Sequence, residues 1–174
     1  MLEFYKILNQ VTQEKLTEWA KEIVNELKQN HIDAGQVASG KTLAAFGYKI
    51  KATDGSIVLY IEGAEHIEFD DRGRGPSNSG KMLKSDVIYN WMKAKGVFQS
   101  ESESKKRSIA FLIARKHRDE GSWQHRKGTT FKGKSKPVSS AFTDAKINIL
   151  NSRLGNAVLP LLKSEILEQF KTVA

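Results

Sequence analysis

The sequence predicts an α+β fold, and three observations support this class. Apolar residues recur at helical spacing near both ends of the chain and in its middle. Two stretches of strand composition flank Asp54-Gly55, a dipeptide typical of a hairpin turn. No alternation of strands and helices follows them, so a parallel sheet is not expected. With 174 residues, the chain suits a single domain covering 1–174.

The first helix is predicted over residues 12–29, with a start as early as Leu2 because no breaker precedes it. Its apolar residues follow the i, i+3, i+4, i+7 rule. They are Leu8, Val11, Leu16, Trp19, Ala20, Ile23, Val24 and Leu27. The helix should end near Asn30, before the turn-forming Asp33-Ala34-Gly35.

Two strands are predicted next, over residues 43–51 and 56–62. In the second, an apolar face alternates with a mixed face of Val58, Tyr60 and Glu62. Gly63 permits a bulge, and residues 66–69 are expected to continue the strand beyond it.

Two helices are predicted in the middle of the chain, over residues 81–95 and 104–120. The first should end at Gly96 and bury Leu83, Val87, Ile88, Trp91 and Met92. The apolar side of the second is Ile109, Leu112 and Ile113.

Residues 121–140 are rich in glycine and poor in apolar residues apart from Trp123 and Phe131, so a mobile basic loop is expected there. A long final helix is predicted over residues 142–172, kinked or split near Pro160. Its apolar positions are Ile147, Leu150, Leu154, Val158, Leu161, Leu162, Ile166, Leu167 and Phe170.

The composition excludes several kinds of protein. The chain has no cysteine, which excludes disulfides, thiolate zinc sites and cysteine nucleophiles. No stretch approaches the roughly 20 apolar residues that a membrane span needs, and the N-terminal residues do not resemble a signal peptide. The charge is uneven, with −5 over residues 1–71 and +13 over residues 72–174. Such a chain could bind nucleic acid or pack against copies of itself.

A near match to a phosphate-binding loop runs from Gly75 through Gly80 and Lys81. Met82 stands where the Mg²⁺-binding hydroxyl belongs, and the preceding stretch is charged instead of apolar. Nucleotide binding is therefore not favoured, and no cofactor is predicted.

An acidic cluster follows the second strand, and it has two interpretations. Carboxylates and one imidazole on alternating strand positions could hold Mg²⁺ or Mn²⁺, as in a nuclease. The residues would be Glu62, Glu65, His66, Glu68, Asp70 and Asp71. The favoured interpretation is a solvated edge strand, whose charges prevent pairing with other chains. No catalytic or metal-binding residue is therefore assigned, and no histidine pair has metal-site spacing.

Residues 105–136 carry 11 Lys and Arg against 2 Asp and Glu, with aromatic residues among them. Aromatic residues among cations suggest stacking on bases beside phosphate contacts, although a solvated helix face explains them equally well. The candidate contacts with DNA or an acidic partner are Lys105, Lys106, Arg107, Arg115, Lys116, Arg126, Lys127, Lys132 and Lys134.

Taken in order, these features resemble the head–tail connector, or tail-completion, proteins of tailed bacteriophages. The resemblance spans most of the chain, and the order and spacing of its parts carry it. The parts are the helix around Trp19-Ala20, the turn of residues 30–35, the hairpin leading into Phe69–Pro76, Ile88–Gly96, Ile109–Lys116 and the C-terminal helix. The versions most similar to this chain are those of tailed phages of Bacteroidetes, including crAss-like ones.

The resemblance implies a structural virion protein without enzymatic activity. Many copies would form a ring at the neck of the particle, between portal and tail, with DNA passing through its lumen. The protein would be made in the host cytoplasm and would have no contact with a membrane. The resemblance further implies that a subunit contact is formed by Arg72, Gly73, Arg74, Gly75 and Pro76. The alternatives are a sequence-independent nucleic-acid-binding protein and a metal-dependent nuclease.

Overall fold

The computed structural model describes residues 2–53, 55–77, 79–129, 132–133 and 136–173. It is 67% helical, and the sheet in its described part has two antiparallel strands, so the predicted α+β class is confirmed. The chain divides into two compact units. One comprises Met1–Glu26, Gly47–Glu62 and Ala141–Ala174, and the other comprises Leu27–Phe46 and Gly63–Ser140.

Helix α1 spans Leu2–Asp33, so it begins at the earlier of the predicted positions. The middle of its predicted apolar stripe is buried, as Leu16, Trp19, Ala20, Ile23, Val24 and Leu27. Removing this surface from water stabilises the helix more than its intrinsic propensity does. Just beyond the helix, Gly35 has φ +67°, a left-handed conformation that glycine adopts without the steric cost of a Cβ.

Strands β1 (Gly47–Thr53) and β2 (Ser56–Glu62) form the predicted hairpin. Thr53 lies opposite Ser56, which leaves two residues for the turn, as the Asp-Gly dipeptide predicts. Gly55 has φ +90°, and Asp54 lies outside the described residues. β1 begins four residues later than predicted, because Lys41–Ala45 forms the short helix α2.

The chain beyond β2 does not continue as a strand, contrary to the prediction for residues 66–69. Glu65–Glu68 forms a 3₁₀ turn, and Phe69–Arg72 forms a single turn of helix, α3. Neighbouring residues of a strand point to opposite faces of a sheet. The helical turn instead lets the carboxylates of Asp70 and Asp71 both accept hydrogen bonds within one unit.

Helices α4 (Ser85–Lys95) and α5 (Glu103–Glu120) pack against each other and form an apolar cluster. Small residues on α5 let the two helices approach closely. The buried members of the cluster are Ile88, Tyr89, Met92, Ala110 and Ala114. The side-chain hydroxyl of Ser102 accepts a hydrogen bond from the backbone N–H of Lys105 and caps α5.

The predicted stripe of α4 is correct for Ile88 and Met92 and wrong for Val87 and Trp91, which are 55% and 43% exposed. Tyr89 is buried in their place. Its hydroxyl donates to Glu103, and the guanidinium carbon of Arg107 lies 4.6 Å from its ring centroid. Burying a tyrosine costs little when its hydroxyl has such a partner. On α5, the predicted Leu112 is exposed, and Ala110 and Ala114 are buried instead.

The segment 121–140, predicted to be irregular, contains helix α6 (Trp123–Lys127) and, at its end, a 3₁₀ turn over Ser139–Ala141. The hydroxyl of Ser122 accepts a hydrogen bond from the N–H of His125 and caps α6. Gly128, with φ +70°, ends the helix. Thr130, Phe131, Lys134 and Ser135 lie outside the described residues.

Helix α7 spans Asp144–Val173 and bends without splitting, although Pro160 lies inside it. Within its unit, the guanidinium of Arg153 lies 2.8 Å from the carboxylate of Glu22 on α1. The indole N–H of Trp19 donates to the carbonyl of Lys146 at 3.3 Å. None of the side chains described on α7 is buried, so its predicted apolar positions remain partly or largely in water.

Candidate functional site

The predicted contact loop, Arg72–Pro76, is held against the residues that precede and begin α6. The backbone N–H of Arg74 donates to the hydroxyl of Ser122 at 2.9 Å, and the N–H of Ser122 donates to the carbonyl of Arg74 at 2.8 Å. Just beyond the loop, the N–H of Ser77 donates to the carbonyl of Arg118 at 2.9 Å. These bonds fix the backbone of the loop within its own unit.

Each side of this contact has a glycine, because there is no space for a Cβ atom at either position. Gly73 has φ +70°, and a Cβ there would lie 2.3 Å from the hydroxyl oxygen of Ser122. Gly121 has φ +83°, and a Cβ there would lie 2.7 Å from the carbonyl oxygen of Arg74. Both residues therefore combine a conformation that side chains rarely adopt with a close approach of two backbones. A Cβ at Gly75 would lie 3.4 Å from the ring of His125, which is ordinary van der Waals contact.

The other predicted members of the loop have accessible side chains. Arg72, Arg74 and Pro76 are exposed, whereas Gly73 and Gly75 are half-buried beneath them. The structure thus brings the five predicted residues together as a fixed loop that carries two cations on its surface.

The near phosphate-binding loop lacks the surroundings that such a loop needs. The element before it is the helical turn α3, where a buried strand is required. Helix α4 begins only at Ser85, so Lys81 does not open it. Asn78, inside the motif, lies outside the described residues.

The acidic cluster is built into the fold through its two aspartates. A carboxylate oxygen of Asp70 lies 3.0 Å from Nε2 of the buried His31. The carboxylate of Asp71 accepts hydrogen bonds from the backbone N–H groups of Val138 at 2.7 Å and Ser139 at 2.8 Å. Both aspartates therefore stabilise long-range contacts of their unit.

His31 is held at both ring nitrogens. Nδ1 lies 2.7 Å from the carbonyl oxygen of Leu27, and Nε2 faces Asp70. Burial lowers the pKa of His31, but the hydrogen bonds with Asp70 and Leu27 outweigh it. The pKa of this imidazole is therefore raised above its ordinary value of 6.5.

The remaining members of the acidic cluster are dispersed. Glu62 pairs with Lys49 at 2.6 Å, and Nε2 of His66 lies 3.1 Å from the hydroxyl of Thr42. Glu65 and Glu68 are exposed on the 3₁₀ turn. Across the described residues, no three carboxylate, imidazole or thiol groups converge as metal ligands would. The expected alternation of these residues along a strand is wrong, because residues 65–72 form helical turns.

Many of the predicted basic contacts are ion-paired within the chain. Lys105 pairs with Glu101 at 2.8 Å, Lys106 with Glu103 at 3.0 Å, Arg107 with Asp86 at 3.2 Å, Lys116 with Glu120 at 3.7 Å, and Arg126 with Glu120 at 2.9 Å. Exposed pairs of this kind are worth about 0–1 kcal/mol each. They nevertheless neutralise part of the charge that a DNA-binding surface would use.

The other predicted cations are Arg115, Lys127 and Lys132, which are exposed, and Lys134, which lies outside the described residues. Lys132 lies against Gly35, where its side chain would be within 3.0 Å of an added Cβ. Burial of Lys95 lowers the pKa of its ammonium group, and the positive charge of Lys132 lowers it further. Lys95 donates to the carbonyl of Gly35 and to that of Val37 at 2.7 Å. Lys132 therefore contacts the chain itself.

A second basic group surrounds His117, and sequence reasoning did not single it out. The imidazole lines a small recess together with Arg74, Ser77, Lys81, Leu83, Arg118 and Ser122. Burial, and then the charges of Arg126 and Arg74, lower the pKa of His117, which favours the uncharged form of the ring. This recess joins the contact loop to the basic helix α5.

Two important residues, Ser122 and His31, were missed at the sequence level. A signal for Ser122 existed, because serine immediately before the first apolar residue of a segment, here Trp123, is a common N-cap of a helix. No local signal marked His31, since its partner lies 39 residues away.

No family model, curated protein or solved structure matches the chain. Over the part of the chain that the structure describes, no helix has both the length and the apolar character needed to cross a bilayer. The function is therefore inferred from the residues themselves.

Proposed function

We propose that this protein is a non-enzymatic structural component of a tailed bacteriophage that forms a ring at the head–tail junction. The genome would pass through the lumen of the ring, between portal and tail proteins. The sequence resemblance suggests this role, and one structural observation carries it further. The long helix α7 exposes a large apolar surface.

The three most exposed apolar side chains described on α7 share one side of the helix. Leu159, Ile166 and Phe170 are 64%, 52% and 72% exposed, and spacings of seven and eleven residues place them on the same face. Side chains of this size are usually removed from water, and contiguous exposed ones mark interaction surfaces. In a ring, a neighbouring subunit that packs against this face would remove these side chains from water.

The charge distribution supports contact between unlike surfaces. Residues 1–71 carry a net charge of −5 and residues 72–174 carry +13. Opposite charges on different parts of one chain favour contacts in which an acidic surface meets a basic one. Contacts of this head-to-tail kind generate closed rings when the rotation between copies closes.

The contact loop fits the same role. Its backbone is fixed by the bonds with Ser122, so binding through Arg72 and Arg74 does not require the loop backbone to become ordered. Two guanidinium groups on a rigid loop suit the carboxylates of a neighbouring subunit.

The test is assembly of the purified protein, alone and with the portal protein of the same genome. We expect oligomers by light scattering and rings by negative-stain electron microscopy, at least in the presence of the portal. A monomer that neither assembles nor co-purifies with the portal would contradict the proposal. The reading frame should also lie beside portal, terminase and capsid genes, and a position among replication genes would weigh against the role.

One observation favours the second candidate, sequence-independent binding of nucleic acid. The recess at His117 gathers Arg74, Lys81 and Arg118 around the imidazole, whose lowered pKa favours its uncharged form. If the cations contact DNA phosphates, log affinity should fall with log salt by about 0.9 for each contact. Replacing Arg74 and Lys81 with Gln should then reduce this slope by about 2. Replacing Lys163 and Lys171 on α7 with Gln is the control and should leave the slope unchanged.

The metal-dependent nuclease receives less support. Its two central carboxylates are already hydrogen-bonded within the chain. Asp70 pairs with His31, and Asp71 accepts hydrogen bonds from the backbone N–H groups of residues 138 and 139. Mg²⁺-dependent cleavage of DNA that Asp70→Ala abolishes would restore this alternative.

A further inference from the structure

The β-hairpin lacks the support that hairpins usually need. It is the complete sheet of the described residues, and each strand pairs only with the other. None of the described side chains in β1 and β2 is buried. A two-stranded hairpin is marginal in water unless a third strand or a helix covers it. Both of its outer edges also carry unpaired backbone groups, which are templates for further pairing.

The groups available for pairing follow from the register. In a hairpin closed by a two-residue turn, the residues flanking the turn form a hydrogen-bonded pair, and such pairs alternate along the strands. Thr53 and Ser56 are that pair here. The backbone groups of Tyr48, Ile50 and Ala52 therefore face the free edge of β1, and those of Ile57, Leu59 and Ile61 face the free edge of β2.

The exposed face of the hairpin carries complementary chemistry on its two strands. β1 contributes Lys49 and Lys51, whereas β2 contributes Val58, Tyr60 and Glu62. Inside the hairpin, the ammonium of Lys49 lies 2.6 Å from the carboxylate of Glu62, and that of Lys51 lies 5.4 Å from the ring centroid of Tyr60. The cations of one strand thus find their partners on the other.

We propose that a second copy of this chain pairs its β1 with the free edge of β2, so that the sheet continues from copy to copy. This inference rests on the proposed ring, whose subunit contact it would provide. The antiparallel order β1-β2-β1-β2 repeats the chemistry of the hairpin, because the lysines of each copy meet Glu62 and Tyr60 of its neighbour.

Charge distinguishes this arrangement from the symmetric pairing of β1 with β1. Pairing β1 with β1 would place Lys49 and Lys51 beside the same lysines of the second copy, and like charges across strands are destabilising. Pairing β2 with β1 brings opposite charges together. Charge therefore favours contact between β2 and β1 over contact between two β1 strands. A contact between different surfaces of the two copies is the kind that builds rings or filaments.

Single cysteines can detect this contact because the natural chain has none. Residues 49, 51 and 58 belong to hydrogen-bonded pairs inside the hairpin, so their backbone groups point away from its outer edges. When a second copy pairs with an outer edge, these residues therefore fall in non-hydrogen-bonded pairs with it. Such pairs bring Cα atoms to about 4.5 Å, within the range of a disulfide. Val58→Cys would be made in one preparation, and Lys49→Cys or Lys51→Cys in another. The two are mixed and oxidised mildly, at the highest protein concentration that stays in solution.

We expect a disulfide-linked heterodimer between Val58→Cys and at least one of the lysine variants. Lys51→Cys alone should give much less homodimer, and Val58→Cys mixed with Lys21→Cys, at an exposed position of α1, serves as the control for random collision. Heterodimer yields no greater than this control would overturn the inference, whether or not the chain oligomerises. Circular dichroism of each variant verifies that the fold is retained.

Electron microscopy of the same samples separates this inference from the proposed function. Rings without the 58–49 or 58–51 link would overturn the hairpin contact and leave the ring role standing. The link in open filaments that do not bind the portal would support the hairpin contact and contradict the ring role.

Discussion

Arg74 and Ser122, 48 residues apart, exchange two hydrogen bonds. The backbone N–H of Arg74 donates to the hydroxyl of Ser122, and the backbone N–H of Ser122 donates to the carbonyl of Arg74. Because the same hydroxyl also caps α6, one serine links the arginine loop to the start of a helix. The position of the two exposed arginines therefore depends on residues that the sequence places far from them.

Ser122→Ala should destabilise the protein by about 1–2 kcal/mol, since it removes a helix cap and a loop hydrogen bond together. The free energy of unfolding from urea titration measures this cost. Ser102→Ala is the matched control, because Ser102 caps α5 without a described bond to the arginine loop. A loss for Ser122→Ala no larger than for Ser102→Ala would contradict the linking role.

Gly73→Ala should be more destabilising than Gly80→Ala, although both glycines have nearly the same positive φ. A positive φ of this size costs a residue with a Cβ about 1–3 kcal/mol at either position. At Gly73 the Cβ would also overlap Ser122 and His125, which adds about 1–3 kcal/mol, whereas nothing lies within 4 Å at Gly80. Equal melting temperatures for the two variants would show that the loop is not packed on α6 as described.

His31 and Asp70 should make stability depend on pH. Because the pKa of His31 is raised on folding, the folded state binds this proton more tightly than the unfolded chain does. The contribution is fully present below the ordinary pKa of 6.5 and is lost as the pH rises through the raised value. Asp70→Asn should therefore cost more stability at about pH 5.5 than at about pH 8.5.

Asp86→Asn is the control for this pH dependence, because Asp86 forms an exposed pair with Arg107, far along the chain from His31. Titration of His31 by NMR provides an independent measurement. A pKa at or below 6.5 in the natural protein, or one that Asp70→Asn does not lower, would contradict the assignment.

Replacing Arg72 and Arg74 with Glu should block assembly into rings while leaving the subunit folded. Both side chains are exposed, so the change reverses the charge of the proposed contact without disturbing buried groups. Electron microscopy measures ring formation, and circular dichroism measures the fold. Lys41→Glu with Lys84→Glu changes the net charge equally at other exposed positions and should still assemble. Intact rings from the arginine variant would exclude the loop as a subunit contact.

Replacing Ile166 and Phe170 with Ser should reduce self-association without lowering the melting temperature. Both side chains are more than half exposed, so little apolar burial is lost in the single subunit. Light scattering across a concentration series measures association. Leu27→Ala is the contrasting variant, since Leu27 is 1% exposed and its truncation should cost about 2–5 kcal/mol. Unchanged association for the serine variant would remove α7 from the proposed interface.

The sequence predicted the elements whose signals are local. Helical spacing located α1, α4, α5 and α7, and Asp54-Gly55 located the hairpin with its register. Gly96 was correctly predicted as the end of α4, because a left-handed residue at that position suits glycine. Residues 66–69 were wrongly extended as a strand, since their composition alone did not reveal the partners of Asp70 and Asp71.

The sequence by itself determined the α+β class, the hairpin turn and the unequal distribution of charge, because these depend on neighbouring residues or on composition alone. Only the tertiary structure decided that Tyr89 is buried instead of Trp91, that Asp70 is hydrogen-bonded to His31, and that Gly73 must lack a Cβ. Each of these depends on a contact whose partner is absent from the local pattern. The glycine shows the cause most directly, since the atoms that exclude its side chain belong to residues 122–125.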